Sequence, residues 1–341
     1  MKILLGLSGG VDSTYAALAL KRAGHTVEGA VVLMHEYTEI SAAEESAASL
    51  GIKLNIIDRR EEFRNIVISN FIDEYLSART PNPCVVCNSE VKFKALVDFA
   101  NENGFDRIAT GHYGGITLNN GRYAVKRGKD ERKDQTYMLW RLPQGILEKL
   151  ILPLEFLTKS EIREDSARSG LAAADRGDSQ EICFLPNGGY AEFIEEQRGA
   201  SPRGNFIDTD GNILGEHNGI IRYTVGQRKG LGISLGARAF VTNINPIENT
   251  VTLSQNDSYA TRVKISGVVY SGISPLESGE EMRLSVKLRY AAKPVAATVR
   301  FYGDSVIAEL DEPVRAVTPG QSAVFYLDDY IALGGFIDSA E

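Results

Sequence analysis

The stretch Lys2–Gly24, "KILLGLSGGVDSTYAALALKRAG", decides the fold. "KILLGL" is a short, uninterrupted apolar run, as expected of a strand buried on both faces. From Asp12 the apolar positions recur at helical spacing and stop at Gly24, a usual helix terminator. Between strand and helix lies Gly6–Ser13, "GLSGGVDS". Its glycines permit a tight turn and close approach of backbone to a ligand. The following helix N-terminus offers free N–H groups and partial positive charge, which suit phosphate. Ser8 and Ser13 add hydroxyl donors, and Asp12 can carry a magnesium ion that bridges phosphates. The loop has neither the Gly-Lys-Ser/Thr of a P-loop nor GxGxxG. A plain turn with Asp12 as N-cap is the simpler alternative, but a cap needs one Ser or Asp rather than the whole string.

Outward from this unit, strand and helix patterns alternate. "TVEGAVVLM", "KLNIID" and "DRIATGH" read as strands; "SAAEESAASLG", "FRNIVISNFIDEYLSA" and "SEVKFKALVDFANENG" read as helices. Such alternation predicts an α/β parallel sheet covered on both faces, with ligands at the carboxyl ends of its strands. From about Trp140 to Gly199 the pattern is helical, and "LTKSEIREDSARSG" carries Thr158 or Ser160 as a cap and Gly170 as a stop. After about Pro202, short alternating stretches such as "TVTLSQ", "LSVKLRY" and "SAVFYLDD" predict one or two small β-barrels. The expected division is 1–139, 140–201, 202–262 and 263–341.

The chain has 341 residues, 43% hydrophobic and 24% charged, a globular composition too long for one ordinary core. No apolar run approaches the roughly 18 residues of a membrane span. "MKILLGLSGGVDS" lacks the longer apolar core of a signal peptide, so a cytoplasmic protein with no membrane partner is expected. The net charge of -8 argues weakly against nucleic acid, but a local basic strip can still bind phosphate. "RYAVKRGKDERKDQ" is such a strip; its plainer reading is a solvated hairpin of mixed charge.

The chain has three cysteines. Cys84 and Cys87 lie in "TPNPCVVCNSE", flanked by turn formers and read as a loop entering the next helix; a thiol there is expected to have a lowered pKa. Cys183 lies in "DSQEICFLP", where Ile182 and Phe184 predict partial burial. Three thiols are too few for an ordinary structural zinc site and too odd a number for a disulfide framework. Two readings stay open: a nucleophile with a persulfide carrier, or three ligands of a 4Fe-4S cluster.

The string SGGxDS resembles the signature of the PP-loop ATP pyrophosphatase superfamily. A larger set resembles one family along nearly the whole chain, the tRNA-specific 2-thiouridylases (MnmA/TrmU). That set is "GLSGGVDS", "RTPNPCVVCNSEVKFKAL", "IATGHY", "KDQTYML", "DSQEICFL", "GEHNGIIRYTVGQRKGLGI", "KLRY" and "TPGQSAVFY". The resemblance implies an N-terminal PP-loop domain of the adenine nucleotide alpha hydrolase-like kind, a central helical segment contacting tRNA, and C-terminal β-barrels. It implies a tRNA-uridine 2-sulfurtransferase that uses ATP and Mg2+ to adenylate the C2 carbonyl of the wobble uridine, after which sulfur replaces oxygen.

By residue, the resemblance assigns ATP contacts to Gly6, Leu7, Ser8, Gly9, Gly10, Val11, Asp12, Ser13, Gly111 and, more loosely, Val32. It assigns Asp12 and Cys87 to catalysis, Cys87 as nucleophile, and Cys183 as persulfide carrier. It places the target base against Asn82, Pro83 and Cys84, and tRNA against His112, Lys133, Asp134, Gln135, Arg289, Tyr290 and Gln321. Many family members have Asp at the position of Cys84. The trio Cys84, Cys87 and Cys183 therefore resembles related tRNA thiolases in which such a set holds a 4Fe-4S cluster. The sulfur donor implied is a cysteine desulfurase relay or inorganic sulfide. A PP-loop ligase or amidotransferase acting on a small metabolite is the alternative.

Overall fold

A computed structural model describes residues 1–341 apart from 172, 175–181, 186–188, 234, 235, 237 and 304. The apolar opening run forms β1 (Lys2–Gly6) at the centre of a parallel sheet with β2 (Thr26–Leu33), β3 (Leu54–Asp58), β4 (Arg107–Thr110) and, after a hairpin described below, β7 (Leu150–Ile151). The order is β3-β2-β1-β4-β7. Ile3, Leu4 and Leu5 are wholly buried because helices cover both faces. Leu4 joins Val32, Ile57, Phe93 and Trp140 in one core, while Ile3, Leu5 and Leu7 pack with Ala16, Ala17 and Leu20 in the other. The latter three belong to α1 (Val11–Arg22), and α2 (Ser41–Leu50) ends as read, with Gly51 in the left-handed conformation.

Two long helical runs depart from simple α-geometry. Residues 60–76 contain the π-turn Arg64–Ile68, and residues 83–102 contain the π-turn Asn88–Lys92. The second run corrects the expected loop: the helix already begins at Pro83, and both Cys84 and Cys87 are helical. Proline breaks a helix interior but suits its first turn, where its missing N–H has no partner to lose.

In the central region the helices are Gln144–Lys149, Lys159–Arg168 and Tyr190–Arg198. Thr158, rather than Ser160, caps the second: its Oγ1 accepts from the Glu161 amide at 3.3 Å, and the Glu161 carboxylate accepts from the Thr158 amide at 2.7 Å. Segment 178–181 of "DSQEICFL" lies outside the described residues.

The β region contains an open four-stranded sheet of β8 (Gly204–Ile207), β9 (Ile213–His217), β10 (Phe240–Asn245) and β11 (Thr250–Ser254). Then follow β12 (Tyr259–Tyr270), β13 (Glu281–Lys287), β14 (Val295–Tyr302), β15 (Ser305–Arg315), β16 (Ser322–Leu327) and β17 (Tyr330–Ala340). Pairing of β12 with β17 closes these six into a barrel around Val286, Val299, Phe301 and Phe325.

The barrel also receives two strands from far upstream. The hairpin β5 (Gly115–Asn119) and β6 (Arg122–Lys126) joins it through β17, with Tyr330 opposite Lys126. Thus the first part of the basic strip is a strand of this hairpin, which sequence reading had as its plainer alternative.

Candidate active site

At the carboxyl end of β1 the glycine loop folds back on itself. Ser13 Oγ donates to the Gly10 carbonyl at 3.1 Å and lies 3.1 Å from Ser8 Oγ. Gly9 has a φ of +79°, and a Cβ there would stand 2.4 Å from the Ala42 carbonyl carbon, so glycine is required twice over. The N-cap of α1 is Gly10 in extended conformation, and no side chain caps this terminus. The cap alternative for Asp12 therefore fails, and the helix end stays open to an anion. Gly111, at the end of β4, closes the far side: a Cβ there would lie 2.7 Å from the Ser13 amide nitrogen. Loops from the ends of two adjacent strands, Gly6–Ser13 and Gly111, thus meet at one cradle.

Asp12 is held from two directions. Lys159 Nζ lies 2.8 and 2.7 Å from its two carboxylate oxygens, and the Tyr113 hydroxyl donates to Oδ1 at 2.7 Å. Lys159 is nine-tenths buried, whereas Asp12 keeps 30% of its side chain in contact with solvent. Sequence reading missed both partners. Lys159 lies 147 positions away, and no local pattern links it to the loop.

Val32, assigned to adenine, is buried in the sheet core. Met34, two residues on and just beyond β2, is partly buried and packs on that core and on the cysteine-bearing cluster alike. Its sulfur accepts from the Cys87 thiol at 3.3 Å. The end of β2 therefore reaches the cysteines through Met34.

Cys87 is buried among Phe63, Val67, Phe71 and Phe184. Phe184 anchors the Cys183 segment in this same cluster, with its ring edge-on to Phe63 at 5.5 Å and to Phe71 at 5.3 Å. Cys183 itself is exposed, as is Cys84, which corrects the expected partial burial of Cys183; of its neighbours Phe184 is buried and Ile182 half-buried. The trio assembles electrostatically: ionised Cys84 and Cys183 each disfavour ionisation of Cys87, and the Lys92 ammonium on the π-turn favours ionisation of all three. Lys92 was another residue that sequence reading passed over; its signal was its place one helical step past Cys87. Among the described residues, no three His, Cys, Asp or Glu side chains are gathered closely enough to hold a metal ion.

The expected lowering of a thiol pKa is overturned. Burial pushes Cys87 up to about 12, and desolvation raises Cys84 and Cys183 too, although both reach the surface. Cys87 ends its five-residue helix rather than beginning it, and the apolar wall outweighs Lys92. In the resting protein, alkylation of Cys87 by iodoacetamide is expected to rise about tenfold per pH unit from pH 7 to 10 without a plateau, because only the thiolate reacts. Mass spectrometry of the labelled peptide checks this, and a plateau near pH 8 would contradict it.

Of the base-pocket residues, Asn82 precedes the helix, Pro83 opens it and Cys84 follows. Asn82 Nδ2 rests on Met138 Sδ at 3.3 Å. Asn88, buried directly after Cys87, donates to the Met138 carbonyl at 2.9 Å, and its Oδ1 has no hydrogen-bond partner among the described residues.

The tRNA-assigned residues divide into two groups. Gln135 is bonded to the main chain of Tyr113, Asp134 receives the Thr136 amide at 3.0 Å, and Tyr290 lies near Lys133 and Asp134. Burial pushes His112 down to about 3, with Lys92 adding to the shift, so its imidazole is neutral and can hydrogen-bond but not attract phosphate by charge. Its Nδ1 lies 2.8 Å from Thr110 Oγ1. Arg289 instead donates to the carbonyls of Val225 and Ala316, and Gln321 to that of Thr80. Part of the basic strip is also paired internally, Lys126 with Glu155 and Lys129 with Glu161, each at 2.6 Å.

Comparison with known proteins matches three family models in sequence. They are a tRNA methyl transferase HUP domain over residues 1–187, a tRNA methyl transferase PRC-barrel domain over 191–255, and an aminomethyltransferase beta-barrel domain over 263–337. The chain is 43% identical to the tRNA-specific 2-thiouridylase MnmA of Lachnoclostridium phytofermentans, covering 98% of this chain and 99% of that protein. It is 40% identical to the protein of that name from Clostridioides difficile, covering 99% and 98%. A solved structure described as a predicted subunit of tRNA methyltransferase, from Methanocaldococcus jannaschii, aligns with TM-score 0.35 and 18% identity over 49% of this chain and 76% of its own.

Proposed function

The chain belongs to the tRNA-specific 2-thiouridylase family, and from that premise we propose that it converts the wobble uridine of tRNA to 2-thiouridine by ATP-dependent adenylation followed by transfer of sulfur through Cys183 and Cys87. The carrying observation is the juxtaposition along one side of the sheet. An open helix N-terminus with Asp12 stands at the end of β1, and Met34 at the end of β2 touches Cys87.

ATP lies with its phosphates over Gly6–Ser13 and against Gly111, where the absence of a Cβ keeps the cradle open. Asp12 is the residue that would hold Mg2+, which usually takes one or two carboxylates with the remaining ligands from phosphate and water. When bound, the ion would neutralise phosphate charge as pyrophosphate leaves. The uridine O2 attacks the α-phosphorus and pyrophosphate departs, so C2 carries an AMP leaving group. Asn82, Pro83 and Cys84 border the pocket for the flipped-out base, since its reacting carbon must leave the stack. Lys133, Asp134, Gln135, His112 and Tyr290 face the RNA.

The sulfur step balances as follows. A sulfane-sulfur donor, such as a cysteine desulfurase relay, loads Cys183 as a persulfide. The terminal sulfur attacks C2, AMP leaves, and Cys183 and C2 are joined through two sulfurs. Cys87 then attacks Cys183 Sγ, forming a disulfide and releasing 2-thiouridine; a cellular thiol reductant returns both cysteines to thiols. Lys92 favours the anionic sulfur in each step, against the burial that keeps Cys87 protonated at rest. By this reading residues 1–139 bind ATP, activate the base and supply Cys87, 140–201 carry the persulfide at Cys183 and contact the tRNA, and the β region of 202–341 adds Tyr290 to the tRNA contacts.

A 4Fe-4S cluster on Cys84, Cys87 and Cys183, with inorganic sulfide as donor, is the second reading. The electrostatic proximity of all three thiols favours it, whereas their lack of a gathered, metal-holding arrangement does not fit it. No step above passes through a cluster.

Two measurements on anaerobically purified protein test the proposal. Pyrophosphate release is expected to depend on tRNA; release that ignores tRNA would favour a metabolite ligase. After reconstitution with iron and sulfide, less than about one iron per chain is expected, against about four for an occupied cluster.

A further inference from the structure

The residues before the cysteine helix are gripped by the distant end of the chain. The Thr80 amide donates to the Pro319 carbonyl at 2.8 Å, and Gln321 Nε2 donates to the carbonyls of Thr80 at 2.8 Å and Pro81 at 3.4 Å. Gly320 between them has a φ of +87°, and a Cβ there would stand 2.8 Å from the Thr80 amide nitrogen. Any larger residue would push the two segments apart. Arg79 adds a bond to the Ile337 carbonyl at 3.1 Å, and Thr80 Oγ1 meets Thr224 Oγ1 at 2.5 Å. The barrel turn is itself fixed, since Gly320 donates to Ile337 and Ile337 donates back to Gln321.

We propose that Gln321 is a positioning residue: its carboxamide locks the carbonyls of Thr80 and Pro81 to the C-terminal barrel and thereby sets where the helix bearing Cys84 and Cys87 begins. This rests on the thiolation reading above. Pro81 and Pro83 make the segment stiff, so fixing two carbonyls fixes the entry of the helix two residues later. Both partners are acceptors, which only a donor can satisfy. The Gln321 donor is therefore engaged within the chain, although the resemblance assigned this residue to tRNA. The neighbouring Arg289 is tied to Ala316 and Thr318 in the same turn region, which holds the turn that carries Gln321.

The test uses full-length Gln321→Met, which keeps length but loses the donor, and Gln321→Glu, which sets a carboxylate against two carbonyls. For Gln321→Met the tRNA Kd is expected to stay within about twofold, while single-turnover thiolation at saturating tRNA falls about tenfold, the size of one lost positioning bond of about 1.4 kcal/mol. Amide exchange in residues 84–87 is expected to accelerate and Cys84 labelling to change at least about threefold. Gln321→Glu is expected to lose more of each. A tRNA Kd weakened about tenfold with unchanged turnover, labelling and exchange would make Gln321 an RNA contact and overturn the proposal. Unchanged values throughout would overturn it too. Labelling and exchange are read without tRNA, so they judge the positioning role even if the wild-type chain failed to thiolate, an outcome that would sink the functional reading instead.

Discussion

Replacing Cys183 by serine is expected to lower formation of 2-thiouridine on the order of 10³-fold or more, as loss of a covalent participant does, while tRNA-dependent pyrophosphate release continues. The reason is the division of the site. In the proposed reaction, adenylation uses the glycine cradle and Asp12 and needs neither Cys183 nor Cys87. The proposed sulfur step uses Cys183, whose neighbour Phe184 packs in the cluster that buries Cys87. Cys87→Ser is expected to match this loss, since an alcohol cannot attack Cys183 Sγ to form the disulfide that releases 2-thiouridine. Cys84→Ala is expected to retain activity within about threefold, roughly the value of a peripheral pocket contact. Quantifying 2-thiouridine by mass spectrometry alongside pyrophosphate checks all three variants. If Cys84→Ala proved as inactive as the other two, the relay would give way to the cluster.

The second large effect is at Asp12. Asp12→Ala is expected to lose both pyrophosphate release and thiolation by about 10²–10³-fold, because in the proposed reaction Asp12 organises charge on the leaving phosphates. It also strips Lys159 and Tyr113 of a shared partner. A largely buried cation without its carboxylate costs stability, here about 1–3 kcal/mol because Asp12 retains some solvent contact. Asp12→Asn keeps an acceptor for Tyr113 and is expected to be nearly as inactive but closer to wild type in Tm. Parallel thermal unfolding and pyrophosphate assays separate the two effects. An Asp12→Ala variant still releasing pyrophosphate at wild-type rate would remove Asp12 from the reaction.

What could be read from residue order was local. The apolar run of β1, the glycine string and the helical spacing of α1 are neighbours in the chain, so their pattern carries their geometry. The same holds for the Thr158–Glu161 cap. The Pro-Asn-Pro segment misled because proline signals a break and a beginning equally, and only the packing of Val85 and Cys87 against separate cores decides which. The direction of the Cys87 pKa was illegible for a related reason. It depends on Phe63 and Phe71 of the helical run 60–76 and on Phe184 from far downstream, and not on the helix end alone. Lys159 on Asp12 and Gln321 on Thr80 are likewise products of the folded chain.

The hairpin Gly115–Lys126 has a consequence for how the molecule is made. Its second strand, β6, finds its barrel partner at Tyr330, some two hundred residues later. Asn119 waits for the Tyr330 hydroxyl, and Arg122 for the carbonyls of Tyr270 and Ser271. At about 5–20 residues per second, a ribosome leaves that strand edge open for about 10–40 seconds. Open edges invite pairing with other chains. The nucleotide-binding half therefore leaves the ribosome with an unfinished seam, and β17 is the strand that closes it.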